Sequence, residues 1–116
     1  MVLEDKNNAE GFTEELKVED GFYLLKFQNE TSDNQKIIRD IDSSFIQFHF
    51  NLKGNCKFLF NNSNYELPLN EESSLLLYNP QQDLPLNLVL EPNSWLISLV
   101  ISIKKFHSLF SQEAGY

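Results

Sequence analysis

Basic side chains are scarce in this chain of 116 residues: nine Lys and Arg stand against 17 Asp and Glu, a formal net charge of −8. Phosphate contacts need clustered cations, so this segment is excluded as a grip on nucleic acid. A single cysteine, Cys56, excludes an intrachain disulfide and any CxxC metal or redox motif. With only four Gly there is no glycine-rich phosphate loop. No apolar run approaches the ~18 residues that a membrane span requires. The opening MVLEDKNNAEG lacks the apolar core of a signal peptide, so the expected location is the cytoplasm, away from membranes. Two N-x-S/T sequons, at Asn29 and Asn61, are then chance matches.

What is present is globular. Hydrophobic residues make up 41% of the chain and include ten Phe, which rules out wholesale disorder. The length is that of one domain, able to hide about 65% of its unfolded surface. The strongest signal is Phe45 to Phe60, FIQFHFNLKGNCKFLF. Ile46, Phe48, Phe50 and Leu52 alternate with Gln47, His49, Asn51 and Lys53, the period-2 mark of a strand. A second alternating run carries Cys56, Phe58 and Phe60 on one parity. With Gly54 between them to take a positive φ, the two runs predict a β-hairpin. The same parity predicts a buried, inert Cys56 thiol.

Along the rest of the chain, residues 1–11 read as a flexible polar arm and Phe12 to Val18 as an edge strand. Strands are predicted over Phe22–Phe27 and Ile37–Ile41, and again over Tyr65–Leu69, where Pro68 suggests a sheet edge. Leu75–Tyr78 reads as a fully buried strand. Two more follow, over Leu84–Leu90 and Trp95–Ile103. The loop Asn61–Asn64 is rich in residues that tolerate left-handed backbone. At Lys104 the period changes: Phe106, Leu109 and Phe110 stand at i, i+3 and i+4 and predict a short amphipathic helix to about Gln112. Many short strands with polar turns and one terminal helix call for an all-β sandwich, jelly roll or small barrel.

The run from Gln47 to Pro80 resembles the cupin core of AraC-type transcription regulators. An apolar strand ends in a Gly turn at Leu52-Lys53-Gly54, a hairpin carries Tyr65-Glu66-Leu67, and an apolar strand closes on Tyr78-Asn79-Pro80. The resemblance covers roughly residues 37–112. It implies a cupin-like double-stranded β-helix (jelly-roll barrel) over 12–103 and a short C-terminal helix over 104–116. It further implies a non-catalytic effector-sensing and dimerisation domain. DNA would be bound only through a helix-turn-helix domain missing from this chain. The turn Asn70-Glu71-Glu72-Ser73 departs from the Pro-Gly-Asp usual in cupins, which implies a different turn type.

Enzymatic cupins hold a metal through two His one residue apart, a Glu shortly after and a later His. Measured back from Gly54, the Glu position falls at Gln47 and the paired His positions fall near Asp40 to Ser43, none of which is His. Asp40, Asp42 and His49 are the remaining combination that could converge, so no metal or other cofactor is expected. Cys56 has no activating His in sequence reach, and Glu71-Glu72 reads as a solvated turn.

The face of the Phe45–Lys53 strand that lines the barrel stays open. Apolarity favours Ile46, Phe48 and Phe50 inward; the metal-cupin register places Gln47, His49 and Asn51 inward. In the second case a small-molecule effector would meet Gln47, His49, Asn51 and Tyr78, with Trp95, Ile97 and Leu99 as the apolar wall. In the first, Gln47 and His49 decorate a solvated face. Phe106, Leu109 and Phe110 either form a homodimer interface or cap the open end of the barrel, and His107 is expected to be exposed. The alternatives in function are a small metal-dependent cupin isomerase or dioxygenase, and a stand-alone β-barrel interaction module.

Overall fold

A computed structural model describes residues 12–113, with side chains from 13 to 109; the expected arm at 1–11 lies outside the described residues. Nine strands and one helix follow in order: β1 (Phe12–Glu19), β2 (Phe22–Asn29), β3 (Gln35–Arg39), β4 (Phe45–Lys53), β5 (Cys56–Phe60), β6 (Tyr65–Leu69), β7 (Ser74–Leu77), β8 (Leu86–Leu90), β9 (Ser94–Ser102) and α1 (Ile103–Glu113). They form two antiparallel sheets, ordered β1-β2-β9-β4-β7 and β3-β8-β5-β6. Between them lies a core that includes Leu25, Phe27, Ile37, Phe58, Leu88, Leu96 and Val100, all buried. This is the expected jelly roll.

The predicted β4–β5 hairpin does not form. β4 pairs with β9 and β7 in one sheet, whereas β5 pairs with β6 and β8 in the other, so Lys53–Asn55 is a corner between sheets. Gly54 does adopt φ +74°, but the reason is contact across the corner. A Cβ there would stand 2.1 Å from Ser94 Oγ and 2.8 Å from the Asn93 carbonyl oxygen. The Ser94 hydroxyl accepts from the Asn55 N–H at 2.8 Å and donates to the Asn55 carbonyl at 3.0 Å. Glu71 accepts from the Gly54 N–H at 2.8 Å. A corner needs its backbone groups satisfied as much as a hairpin does, and here side chains supply the partners together with the Glu91 backbone N–H, which donates to the Asn55 carbonyl at 3.1 Å.

Other turns follow residue chemistry. Asn61, Asn62 and Ser63 take φ of 55°, 55° and 70° in the β5–β6 loop, as Asn-rich sequence allows. In the turn that lacks the usual cupin glycine, Glu72 takes φ +66° and donates its N–H to the Asn51 carbonyl. β6, with Pro68, is an outermost strand. β7 is outermost too, so Leu75–Tyr78 is not fully buried: Leu76 is 56% and Tyr78 38% exposed. β3 begins two residues before the predicted strand, and Ile41 is buried beyond its end. At the helix, Ser102 Oγ accepts from the Lys105 N–H at 3.0 Å, an N-cap bond. The Lys105 ammonium pairs with Glu19, tying α1 to the β1–β2 turn.

Gly54→Ala is expected to cost at least about 2 kcal/mol, from left-handed strain plus the clash with residues 93 and 94. Urea unfolding of the two proteins measures it; an unchanged midpoint would contradict the account of the corner.

Candidate functional site

β4 places Gln47, His49 and Asn51 inside the sandwich, each at 1% exposure or less. Phe48 and Phe50 face outward, with Phe50 38% exposed. The open question of which face lines the barrel is thus resolved against apolarity. Apolar patterning places side chains correctly only when the polar alternatives lack internal partners. Here they have them. Gln47 Nε2 donates to the Leu84 carbonyl at 2.6 Å, which leaves Oε1, 2.9 Å away, as acceptor for His49 Nε2–H. His49 Nδ1 is therefore the bare nitrogen and accepts from the Ser98 hydroxyl at 2.6 Å. Ser98 lies directly opposite His49 in the β4–β9 register. The imidazole also packs on Phe58 of the other sheet, with ring centroids 4.6 Å apart.

Burial alone drives the His49 pKa down to about 3, since the enclosed ring cannot be hydrated as a cation. Asn51 acts at the corner: its Nδ2 donates to the carbonyls of Gly54 and Leu69 at 2.9 and 2.8 Å, and its Oδ1 has no donor. Cys56 is buried as expected, and its thiol is pushed up to about 12, chiefly by burial and further by Glu91. At neutral pH it stays protonated and is a poor nucleophile.

The other candidates are elsewhere. Trp95, Ile97 and Leu99 have the opposite parity to Ser98 and lie on the outer face of the five-stranded sheet, where the Lys26 ammonium sits 5.5 Å over the Trp95 ring. They cannot wall a pocket containing His49, because the sheet stands between. Tyr78 follows the outermost strand and is exposed. Phe106 neither caps the barrel mouth nor stands free: its ring lies 6.3 Å from Phe48 on that outer face. Leu109 is half-buried, His107 is exposed, and the Phe110 side chain lies outside the described residues.

Asp42 does not reach His49. It accepts from the Ser44 hydroxyl and, at 2.9 Å, from the Ser44 N–H, and these bonds hold its carboxyl below the usual range. Among the described residues no three His, Cys, Asp or Glu side chains group closely enough to hold a metal ion. No described helix is long and apolar enough to cross a membrane. Sequence reasoning missed Ser98 as the partner of His49. Its signal was small: Ser94 and Ser98 alternate with Leu96 and Val100 on the inward parity of β9.

No known sequence family matches this chain, and no curated protein resembles it in sequence. Solved structures do match it in three dimensions. A Klebsiella pneumoniae protein with a double-stranded β-helix domain superposes with a TM-score of 0.63 at 10% identity, covering 86% of this chain and 84% of that one. The chain has the cupin fold. A cupin domain of an XRE-family transcriptional regulator from Enterobacter cloacae gives 0.60 at 8% identity, over 79% of this chain and 96% of that one. An HTH_3-family transcriptional regulator from Vibrio cholerae gives 0.58 at 12% identity, over 81% of this chain. The match spans only 52% of the Vibrio protein's own length.

The buried imidazole sets a pH dependence. Unfolded His titrates near 6.5 and folded His49 near 3, so across that window the unfolded state binds the extra proton. Stability is therefore full above pH 6.5 and falls as pH drops, by up to about 1.4 kcal/mol per unit. Between pH 7 and pH 5, above the carboxylate range, the wild type should lose roughly 2 kcal/mol in urea titrations. His49→Gln should be less stable at pH 7 but nearly flat over the same interval.

Proposed function

We propose that this cupin domain is a non-catalytic regulatory module of an AraC-type transcription regulator, working in the cytoplasm. The supporting observation is that both ring nitrogens of its buried histidine are engaged. His49 donates to Gln47 and accepts from Ser98, and all three side chains are at least 99% buried. Metal ligation would need a free imidazole nitrogen and further converging donors. The Ser98–His49 pair has the donor–acceptor order of an activated nucleophile, but a substrate has no route to a hydroxyl with no exposed surface. The network holds the two sheets in place and leaves function to the outer surface.

The regulator assignment draws on the resemblance of residues 37–112 to AraC-type sensor domains. It is compatible with the structural likeness to a cupin domain of an XRE-family regulator and to an HTH_3-family regulator. Signalling in this reading is a population shift: an effector favours one arrangement of barrel and α1, and so one geometry of the attached DNA-binding domains. The contacts available to shift are Phe106 on Phe48 and Lys105 on Glu19.

Two measurements test the proposal. The gene read past codon 116 should encode a basic helical segment with two helix-turn-helix motifs, and its product should bind DNA; a stop codon there removes the AraC reading. The purified domain should retain no stoichiometric metal, and added Zn²⁺, Fe²⁺ or Mn²⁺ should leave its Tm unchanged. Tight metal uptake would instead support the isomerase or dioxygenase alternative.

A further inference from the structure

Beside the part of the five-stranded sheet that α1 covers through Phe106 on Phe48, a groove of about 460 Å³ runs along β1, β2 and β9. None of the described α1 residues lines it. Its floor includes Leu24 and Ile97, both half-buried. Leu16 on β1 and Leu52 near the end of β4 stand at its two sides, 56% and 48% exposed. Trp95, at the start of β9, completes the apolar lining. Such a volume falls within the about 300–1,000 Å³ usual for small-molecule sites, which pair apolar walls with a few polar groups.

The charged groups in the lining are Glu14, Glu15 and Lys26. Glu14 and Lys26 are direct cross-strand partners in the β1–β2 register, where opposite charges normally meet. Here they do not. The Lys26 ammonium is held 5.5 Å over the Trp95 ring, and among the described residues neither it nor Glu14 joins an ion pair. A half-buried ammonium left to an aromatic face, in a chain of net charge −8, is a cation without its anion.

We propose that this groove binds a zwitterion with an apolar body, a free apolar amino acid or a short apolar peptide. Its carboxylate would meet Lys26, its ammonium Glu14, and its side chains Leu16, Leu24 and Ile97. Charge selects this class. A simple anion would face two carboxylates in the lining and repulsion from the acidic chain as a whole. A simple cation would find the Trp95 face already taken by Lys26. A neutral zwitterion is not repelled, pairs both unmatched charges and covers the apolar floor.

The ligand would clamp β1, an outermost strand, against β2 and β9. The far end of β1 holds α1 through the Glu19–Lys105 pair, so the groove and the helix are joined by one strand. As the place of the effector the groove rests on the regulatory reading above; as a binding site it does not.

Trp95 is the only tryptophan, so its fluorescence reports on the groove directly. Titrated into the whole chain, phenylalanine or leucyl-phenylalanine should give a saturable change, and the tighter of the two tells amino acid from peptide. The N-acetylated and the C-amidated forms of that ligand should each bind roughly threefold or more weakly. Lys26→Met should remove the penalty for amidation, and Glu14→Gln the penalty for acetylation. Lys53→Met, a change of the same kind outside the groove, should alter neither. The comparison of capped and free ligands on the wild type stands even if a variant folds poorly.

No saturable change up to about 20 mM overturns the inference. Equal affinity for free and capped ligands does so too, as does binding indifferent to both groove variants. DNA binding by the longer gene product is scored separately. DNA binding without ligand binding removes this site alone, and ligand binding without DNA binding removes only the regulator reading.

Discussion

The buried polar relay from Ser98 through His49 and Gln47 to the Leu84 carbonyl is the constraint on which this sandwich depends. It joins β9, β4 and the segment before β8, and its imidazole rests on Phe58 of the opposite sheet. Leaving any member of such a chain unpaired would cost about 1–3 kcal/mol. Its satisfaction therefore fixes the register of β4 against β9. A slip of one residue would turn Phe48 inward and expose His49, losing every one of these bonds at once.

From that register the outer surface follows. Because the polar parity of β4 is consumed inside, its aromatic parity must lie outside, next to Leu24, Ile97 and Leu99 of the neighbouring strands. An inverted strand thus accounts for two features together: an interior whose polar groups are largely internally bonded, and an apolar exterior unusual for an acidic chain. α1 shields part of that exterior through Phe106, and the Ser102 cap and Lys105–Glu19 pair hold it there.

Much of the architecture was legible because it is encoded locally. Period-2 runs, Asn-rich turns, Pro68 at an edge and the change of period at Lys104 each reflect neighbouring residues, and each appears where expected. What local pattern could not convey was pairing at a distance. A glycine after an alternating run looks the same in sequence whether the chain folds back on itself or crosses to another sheet. The partners of β4's polar side chains, Ser98 and the Leu84 carbonyl, are 49 and 37 residues away. Counting apolar residues therefore favoured the wrong face of β4, and the alternative reading, which put Gln47, His49 and Asn51 inward, still placed Trp95, Ile97 and Leu99 beside a pocket from which the sheet separates them. Apolar counting also made β7 a buried strand, because four apolar residues in a row do not reveal that the sheet ends there.

The Ser94 hydroxyl bears on how the molecule comes apart. It accepts from the Asn55 N–H and donates to the Asn55 C=O, which also takes the Glu91 backbone N–H at 3.1 Å, so both polar groups of that residue are bonded across the corner. Ser94 opens β9 in one sheet, and Asn55 leads into β5 of the other. The corner is in effect a single rung shared by two ladders. Opening either sheet near this point breaks bonds that belong to both, so the two halves have no seam along which one could fray while the other stayed closed. Cooperativity between the layers then rests on one small side chain as well as on the apolar core.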